Sequence, residues 1–209
     1  MIKMNSTRSG IRIRAFNALA LVVLLLVCCG CRKYKGNSES SRVTPDGKEW
    51  AEEIQLEGVD NFYKISDDLY RGAQPTEEGF RRLREMGIRT IVSLRSFHSD
   101  KDDIGDLDLN YHRISAKAYH PEDKELVEFL EIVSENSNKP VFIHCMQGSD
   151  RTGLMAATYR VAIQDWPKDD ALDEMANGGF GHHKMFKLLQ KYFREVNIEE
   201  IKLTANVGE

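Results

Sequence analysis

The chain has 209 residues, 41% of them hydrophobic and 30% charged, enough for one ordinary domain with one core. Its formal net charge is −4; without the four basic residues of the first 31 it becomes −8, from 25 Lys and Arg against 33 Asp and Glu, which leaves no footprint for nucleic acid. Three of its four cysteines lie within residues 28–31, which excludes a disulfide-stapled fold and a zinc site built on thiolates.

Residues 1–31 begin with Lys3, Arg8, Arg12 and Arg14, continue through the apolar run Leu19 to Val27, and end in Cys28-Cys29-Gly30-Cys31. Charge, apolar stretch and small-residue exit are the order of an export signal. About ten apolar residues fall short of the roughly 20 that span a bilayer, so a transmembrane anchor is the lesser alternative. Gly30-Cys31 resembles the cleavage and lipidation site of bacterial lipoproteins, although Cys28 stands where such sites usually carry Leu. The expectation is an exported chain, periplasmic or anchored facing the periplasm, attached to a membrane through a lipidated Cys31. Cys145 is then the one free thiol. Residues 32–49 are polar and rich in Ser, Gly and Asn, which reads as a flexible tether before a domain over 50–209.

Two short apolar runs around Ser66-Asp67-Asp68 predict a hairpin in the stretch from Phe62. Thr76 caps a predicted helix with Glu77 and Glu78 in its first turn, Phe80, Leu83 and Met86 at helical spacing and Gly87 beyond its end. Strands are expected at Thr90–Leu94 and around Tyr111–Ile114. Pro121 opens a helix with Leu126, Phe129, Leu130 and Val133 on one face. Val141–His144 reads as a buried strand, followed by a turn and a helix from about Thr152 to Gln164. Pro167 starts another helix that Gly178-Gly179 ends, and a last one carries Met185, Phe186, Leu188, Leu189, Tyr192 and Phe193. Strands alternating with helices indicate an α/β domain with a mainly parallel sheet.

The chemistry concentrates in His144-Cys145-Met146-Gln147-Gly148-Ser149-Asp150-Arg151-Thr152, between a strand and a helix start. There, successive N–H groups of Met146 to Arg151 and the positive helix end make an anion cradle. The same groups stabilise a thiolate, so Cys145 is the candidate nucleophile. Arg151 can return across the loop to hold two phosphate oxygens bidentately, which lysine could not do. Gly148 lets the backbone turn inward without a side chain.

This segment resembles the protein-tyrosine phosphatase superfamily, marked by His-Cys, five residues, then Arg and Ser or Thr. LYRGAQPTEEGFRRLREMGIRTIVSLR and the stretch through GLMAATYRVAIQDWPKDDALDEMANGGFG are similar to bacterial periplasmic dual-specificity phosphatases, covering most of residues 60–181. The resemblance implies a central mixed sheet flanked by helices, no metal or organic cofactor, His144 orienting the loop, and Thr152 helping the thiolate leave. It also implies an aspartate general acid 25 to 32 residues before the cysteine, but Ala118 or Tyr119 falls at the early position, and Glu122 and Asp123 look like first-turn helix residues. Asp150, next to the arginine as in some branches of the superfamily, is the better candidate; a helix cap is its bland alternative. Arg71 and Arg95 read as solvated arginines sooner than substrate contacts, His182-His183 as a helix-start pair sooner than metal ligands, and Trp50 and Trp166 as packing anchors.

The expected activity is hydrolysis of phosphomonoesters through a phosphocysteine, on phosphotyrosine or dual-specificity protein substrates. Inositol phosphates or phosphoinositides are the enzymatic alternative, but Met146, Gln147, Ser149 and Asp150 add no positive charge for extra phosphates. A silent phospho-binding module or a rhodanese-like carrier would not need Cys145, Arg151 and Thr152 together.

Overall fold

The computed structural model describes residues 43–44, 47–117, 119–181, 183 and 187–208. The expected leader with Cys31, most of the expected tether, and Ala118, His182, Met185 and Phe186 lie outside the described residues. Among the described residues, no helix is long and apolar enough to cross a membrane.

A six-stranded sheet forms the centre, in the order β1-β2-β3-β6-β4-β5. Its strands are β1 (Glu52–Glu53), β2 (Tyr63–Lys64), β3 (Leu69–Gly72), β4 (Thr90–Ser93), β5 (Asn110–Arg113) and β6 (Val141–His144). The pairings β3·β6, β4·β6 and β4·β5 are parallel, whereas β1·β2 and β2·β3 are antiparallel. The expected mainly parallel mixed sheet is therefore present, and β2–β3 is the expected hairpin, with Tyr63 opposite Arg71.

Helices cover both faces. Helix α1 (Glu77–Glu85) starts as its cap predicts, the Thr76 hydroxyl accepting from the Gly79 N–H at 3.1 Å. Phe80 and Leu83 from α1, with Ile91, Phe142 and Ile104 of the short α2 (Lys101–Ile104), form one core layer. The larger layer joins Val92, Val141 and Ile143 to α3 (Asp123–Ser134), α4 (Asp150–Ala162), α5 (Lys168–Asn177), α6 (Lys187–Glu195) and α7 (Ile198–Thr204). Strand β6 sends Val141 and Ile143 to one layer and Phe142 to the other, the period-two alternation of a strand buried on both faces.

Strand β1, which precedes the expected hairpin, and three helices depart from expectation. Helix α4 begins at Asp150 instead of about Thr152, so Asp150 and Arg151 stand in its first turn. Helices α2 and α7 have no counterpart among the expected elements: α2 has four residues and buries only Ile104, too short for a period to register. Within the stretch expected to be a tether, Val43 and Glu49 form an isolated bridge, Thr44 is buried, and Lys48 Nζ donates to the Asp165 carbonyl at 2.6 Å.

Candidate active site

Strands β3, β6 and β4 run parallel, and their carboxyl ends meet where the sheet delivers β6 into α4. The loop between them is Cys145 to Ser149. Gly148 sits there at φ 70°, and a Cβ on it would lie 2.4 Å from the Gly72 carbonyl group, so both conformation and space demand glycine.

Five successive loop carbonyls accept hydrogen bonds from the scaffold outside. Cys145 O lies 3.2 Å from His144 Nδ1; Met146 O accepts from the Gln74 N–H at 3.3 Å; Gln147 O accepts from Asn61 Nδ2 at 2.8 Å. Arg71 Nη2 donates to Gly148 O at 2.8 Å and to Ser149 O at 3.3 Å. Ser149 O also receives the Gly153 N–H at 2.7 Å. With the carbonyls fixed outward, the loop N–H groups are left to face the inside, where those of Gln147 and Thr152 reach the Cys145 sulfur.

Cys145 is buried, with 3% of its surface exposed. Burial pushes its thiol up, but the Thr152 hydroxyl, the Arg151 charge and the N–H groups of Thr152 and Gln147 outweigh it and hold the thiol below its ordinary value. The Thr152 hydroxyl is buried beside the sulfur. Arg151 is half-buried, its Nη1 donating to Leu94 O at 3.0 Å and Ala116 O at 3.5 Å, so its guanidinium is tied to the loops that follow β4 and β5. Met146 and Gln147 are exposed beside it.

Asp150 is buried and turned to the loop after α5: its Oδ1 accepts from the His183 N–H at 3.0 Å and its Oδ2 lies 2.7 Å from His183 Nδ1. Asp123 sits elsewhere, in the first turn of α3, where its Oδ1 accepts from the Tyr192 hydroxyl at 2.6 Å. Glu122 is the N-cap of that helix and forms a capping box with Glu125. Tyr119 is exposed.

The reading of Arg71 as a solvated arginine is overturned. It is 1% exposed, stacks over the Phe180 ring at 3.8 Å, and holds the loop from behind. Burial lowers its pKa to about 10, with Glu174 and Cys145 opposing, so it stays a cation at neutral pH. Arg95 donates to Gln74 Oε1 at 3.0 Å and is half-buried. His183 pairs with Asp150, a role that its reading as a helix-start residue misses. Sequence reasoning passes over Asn61, Gln74 and Asp100 altogether. The Asn61 backbone, at φ 52°, is a conformation asparagine tolerates, and its amide bridges Gln147 O and Phe180 O. The packing expectation holds for Trp166, which is buried under the Arg160 guanidinium.

Among the described residues, one group of potential metal ligands comes together: His98, Asp100 and Asp103, with ligand-type atoms within 4.8 Å of one another. Both Asp100 oxygens there already face donors, Gln74 Nε2 at 2.9 Å and His144 Nε2 at 2.9 Å, which ties that carboxylate to the loop's support.

A cysteine at the end of a buried parallel strand, inside a ring of N–H groups that closes on a helix N-terminus and an arginine, is the phosphate loop of the cysteine-dependent phosphatases. The family model described as a DSP-PTPase phosphatase fused to NAD+ kinase matches residues 49–191. The dual specificity protein phosphatase TpbA of Pseudomonas aeruginosa (strain UCBPP-PA14) is 30% identical over 166 residues, 79% of this chain and 75% of that protein. A crystal structure of P. aeruginosa TpbA superposes with a TM-score of 0.67 at 30% identity, covering 75% of this chain and 96% of that one. Inositol diphosphatase SIW14 of Saccharomyces cerevisiae is 26% identical over 156 residues, 70% of this chain and 54% of that protein. The chain belongs to the DSP-PTPase family of the protein-tyrosine phosphatase superfamily.

Proposed function

We propose that the chain hydrolyses phosphomonoesters through a phosphocysteine intermediate, with phosphotyrosine or mixed phosphotyrosine and phosphoserine/threonine proteins as its substrates. The observation that carries this reading is the orientation of the loop: with carbonyls 145 to 149 held outward, its N–H groups and the start of α4 converge on an anion seated over Cys145. A relative supports the protein substrate, since a TpbA variant at 29% identity and TM-score 0.67 was crystallised with phosphotyrosine.

In the first step the Cys145 thiolate attacks phosphorus; the S–P bond forms, the ester P–O bond breaks, and the leaving oxygen takes a proton from Asp150. Arg151 leaves its carbonyl partners to grip two equatorial oxygens as their charge redistributes. In the second step water attacks phosphorus and returns a proton to Asp150. The S–P bond then breaks, the thiolate departs under the Thr152 hydroxyl, and inorganic phosphate is released. Asp150 works with His183, whose N–H and Nδ1 stand at its two oxygens.

The test is turnover of p-nitrophenyl phosphate. The full chain should hydrolyse it, and Cys145→Ser should keep the fold and bind phosphate but lose turnover. A serine variant retaining even a tenth of the rate would remove Cys145 as nucleophile, and an inert wild type would leave a phospho-binding module. The curated relatives include inositol diphosphatases, so a panel of phosphopeptides against inositol polyphosphates decides the substrate class. The loop itself, with Met146, Gln147, Ser149 and Asp150 between cysteine and arginine, favours a single phosphate.

The leader supports export to the periplasmic side and anchoring through a lipidated Cys31. Labelled fatty acid should enter the wild type and not Cys31→Ser; release of a soluble mature protein from the wild type would show plain signal cleavage.

A further inference from the structure

His144 is fully buried, its ring stacked on Phe142 at 5.7 Å and edge-on to Phe80 at 6.4 Å. Both ring nitrogens face acceptors. Nδ1 lies 3.2 Å from the Cys145 carbonyl oxygen, and Nε2 lies 2.9 Å from Asp100 Oδ2. Contacts at both nitrogens fix the orientation of the ring.

Asp100 supplies the contact at Nε2. It is fully buried at the start of α2, and its Oδ1 accepts from Gln74 Nε2 at 2.9 Å. His98 Nε2 lies 3.2 Å from the same oxygen, and the Tyr111 hydroxyl accepts from the Asp100 N–H at 3.2 Å. Burial pushes the Asp100 carboxyl up, but His144 and Gln74 outweigh burial and hold it below its usual range. A buried carboxylate is costly unless it is hydrogen-bonded, and Gln74 and His144 stand at its two oxygens.

We infer that Asp100 is a positioning residue for the nucleophile: its carboxylate fixes the His144 ring at Nε2, so that Nδ1 stays on the Cys145 carbonyl and holds it turned outward, away from the thiolate. The inference rests on Cys145 being the nucleophile. It adds a residue from the β4–α2 loop, 45 positions before the cysteine, to the groups that set its reactivity. Arg151 and Thr152 act on the sulfur from the other side and remain in place when Asp100 is changed.

The experiment follows alkylation of Cys145 by iodoacetamide against pH in the full chain, resolved from the leader cysteines by peptide mass spectrometry. Asp100→Asn takes the carboxylate from the ring, and a Cys145 carbonyl released to turn toward the sulfur disfavours the thiolate, so the alkylation midpoint should rise by about one unit. His144→Asn should raise it as far, and the double variant no further. An unmoved midpoint in Asp100→Asn, or a shift that persists in the His144→Asn background, overturns the inference. A second measurement reads the ring itself: the imidazole 15N shifts of His144 should differ between the wild type and Asp100→Asn, and identical shifts refute the proposal. Neither measurement reads turnover. A Cys145→Ser enzyme that still hydrolysed phosphate esters would therefore sink the nucleophile assignment while leaving the Asp100–His144 pair intact.

Discussion

Replacing Arg71 by methionine keeps a long side chain over Phe180 but removes every donor behind the phosphate loop that this side chain supplies. Two carbonyls are at stake, and they differ. Ser149 O keeps the Gly153 N–H at 2.7 Å, whereas Gly148 O, held among the described residues by Arg71, is orphaned. One buried carbonyl without a partner costs about 1–3 kcal/mol. The buried cation–π contact at 3.8 Å is worth about 2 kcal/mol, of which a thioether over the same ring recovers about 0.3–1.5 kcal/mol. Glu174 is not stranded, because Arg160 binds its two oxygens at 2.6 and 2.8 Å. Relief of the cost of burying a cation acts the other way, so the net loss should be about 2 kcal/mol, a tolerable share of the roughly 5–15 kcal/mol of a domain. The variant should fold, yet its loop is free to turn the Gly148 carbonyl inward toward the substrate anion. Misplacement on the scale of 1 Å costs about a hundredfold in rate, so kcat/KM on p-nitrophenyl phosphate should fall by about that factor while urea unfolding reports the smaller stability loss. Arg71→Lys, which keeps the charge and one donor, should fall between. If Arg71→Met lost stability but kept wild-type kinetics, Arg71 would be a core residue and nothing more, and the account of the outward carbonyls would fail.

Arg151→Lys keeps charge but loses the planar fork, so kcat should drop by a factor of about a hundred or more, the roughly 3 kcal/mol of one transition-state donor; an unchanged kcat would take Arg151 out of the mechanism. Asp150→Asn should slow phosphotyrosine far more than an activated aryl phosphate, because only the poorer leaving oxygen needs the proton, and it should flatten the basic limb of the kcat profile. His183→Asn, which removes the ring from Asp150 Oδ2, should reproduce part of that pattern. Asp123→Asn is the control: it loses the bond from the Tyr192 hydroxyl, and a leaving-group dependence there instead would return the acid to the loop before α3.

What the sequence discloses is what it holds contiguously. Residues 144–152 carry nucleophile, glycine turn, arginine and hydroxyl in one stretch, and the Thr76 cap with Phe80 and Leu83 writes α1 just as locally. The support behind the loop is different in kind. Asn61, Arg71, Gln74, Asp100 and His183 come from separate segments and meet the loop only because the sheet order sets β6 between β3 and β4. No periodicity in the text reports such a meeting. Arg71 misleads for a further reason: arginine is rarely fully buried, so exposure is the sound default until a strand is known to point it inward. In β3 it alternates with Tyr70 and shares the buried side of Leu69, which only the pairing with β6 makes visible.

The same arrangement bears on substrate charge. The cradle draws its positive potential from backbone N–H groups, the α4 terminus and Arg151, while the buried Arg71 and His144 face loop carbonyls on the outside and hold its shape. A second or third phosphate would have to find its own cation at the rim. Arg95 is already engaged with Gln74, and Met146 and Gln147, the exposed loop residues, bring none. Discrimination should then come from the group that carries the phosphate: a neutral ester leaves the rim's demands unchanged, whereas each added phosphate brings about two charges to a domain that is acidic as a whole. On the proposed reading, a rim without cations favours a monophosphate, and introducing lysine at Met146 or Gln147 is the change that should admit a polyphosphate without altering the chemistry at Cys145.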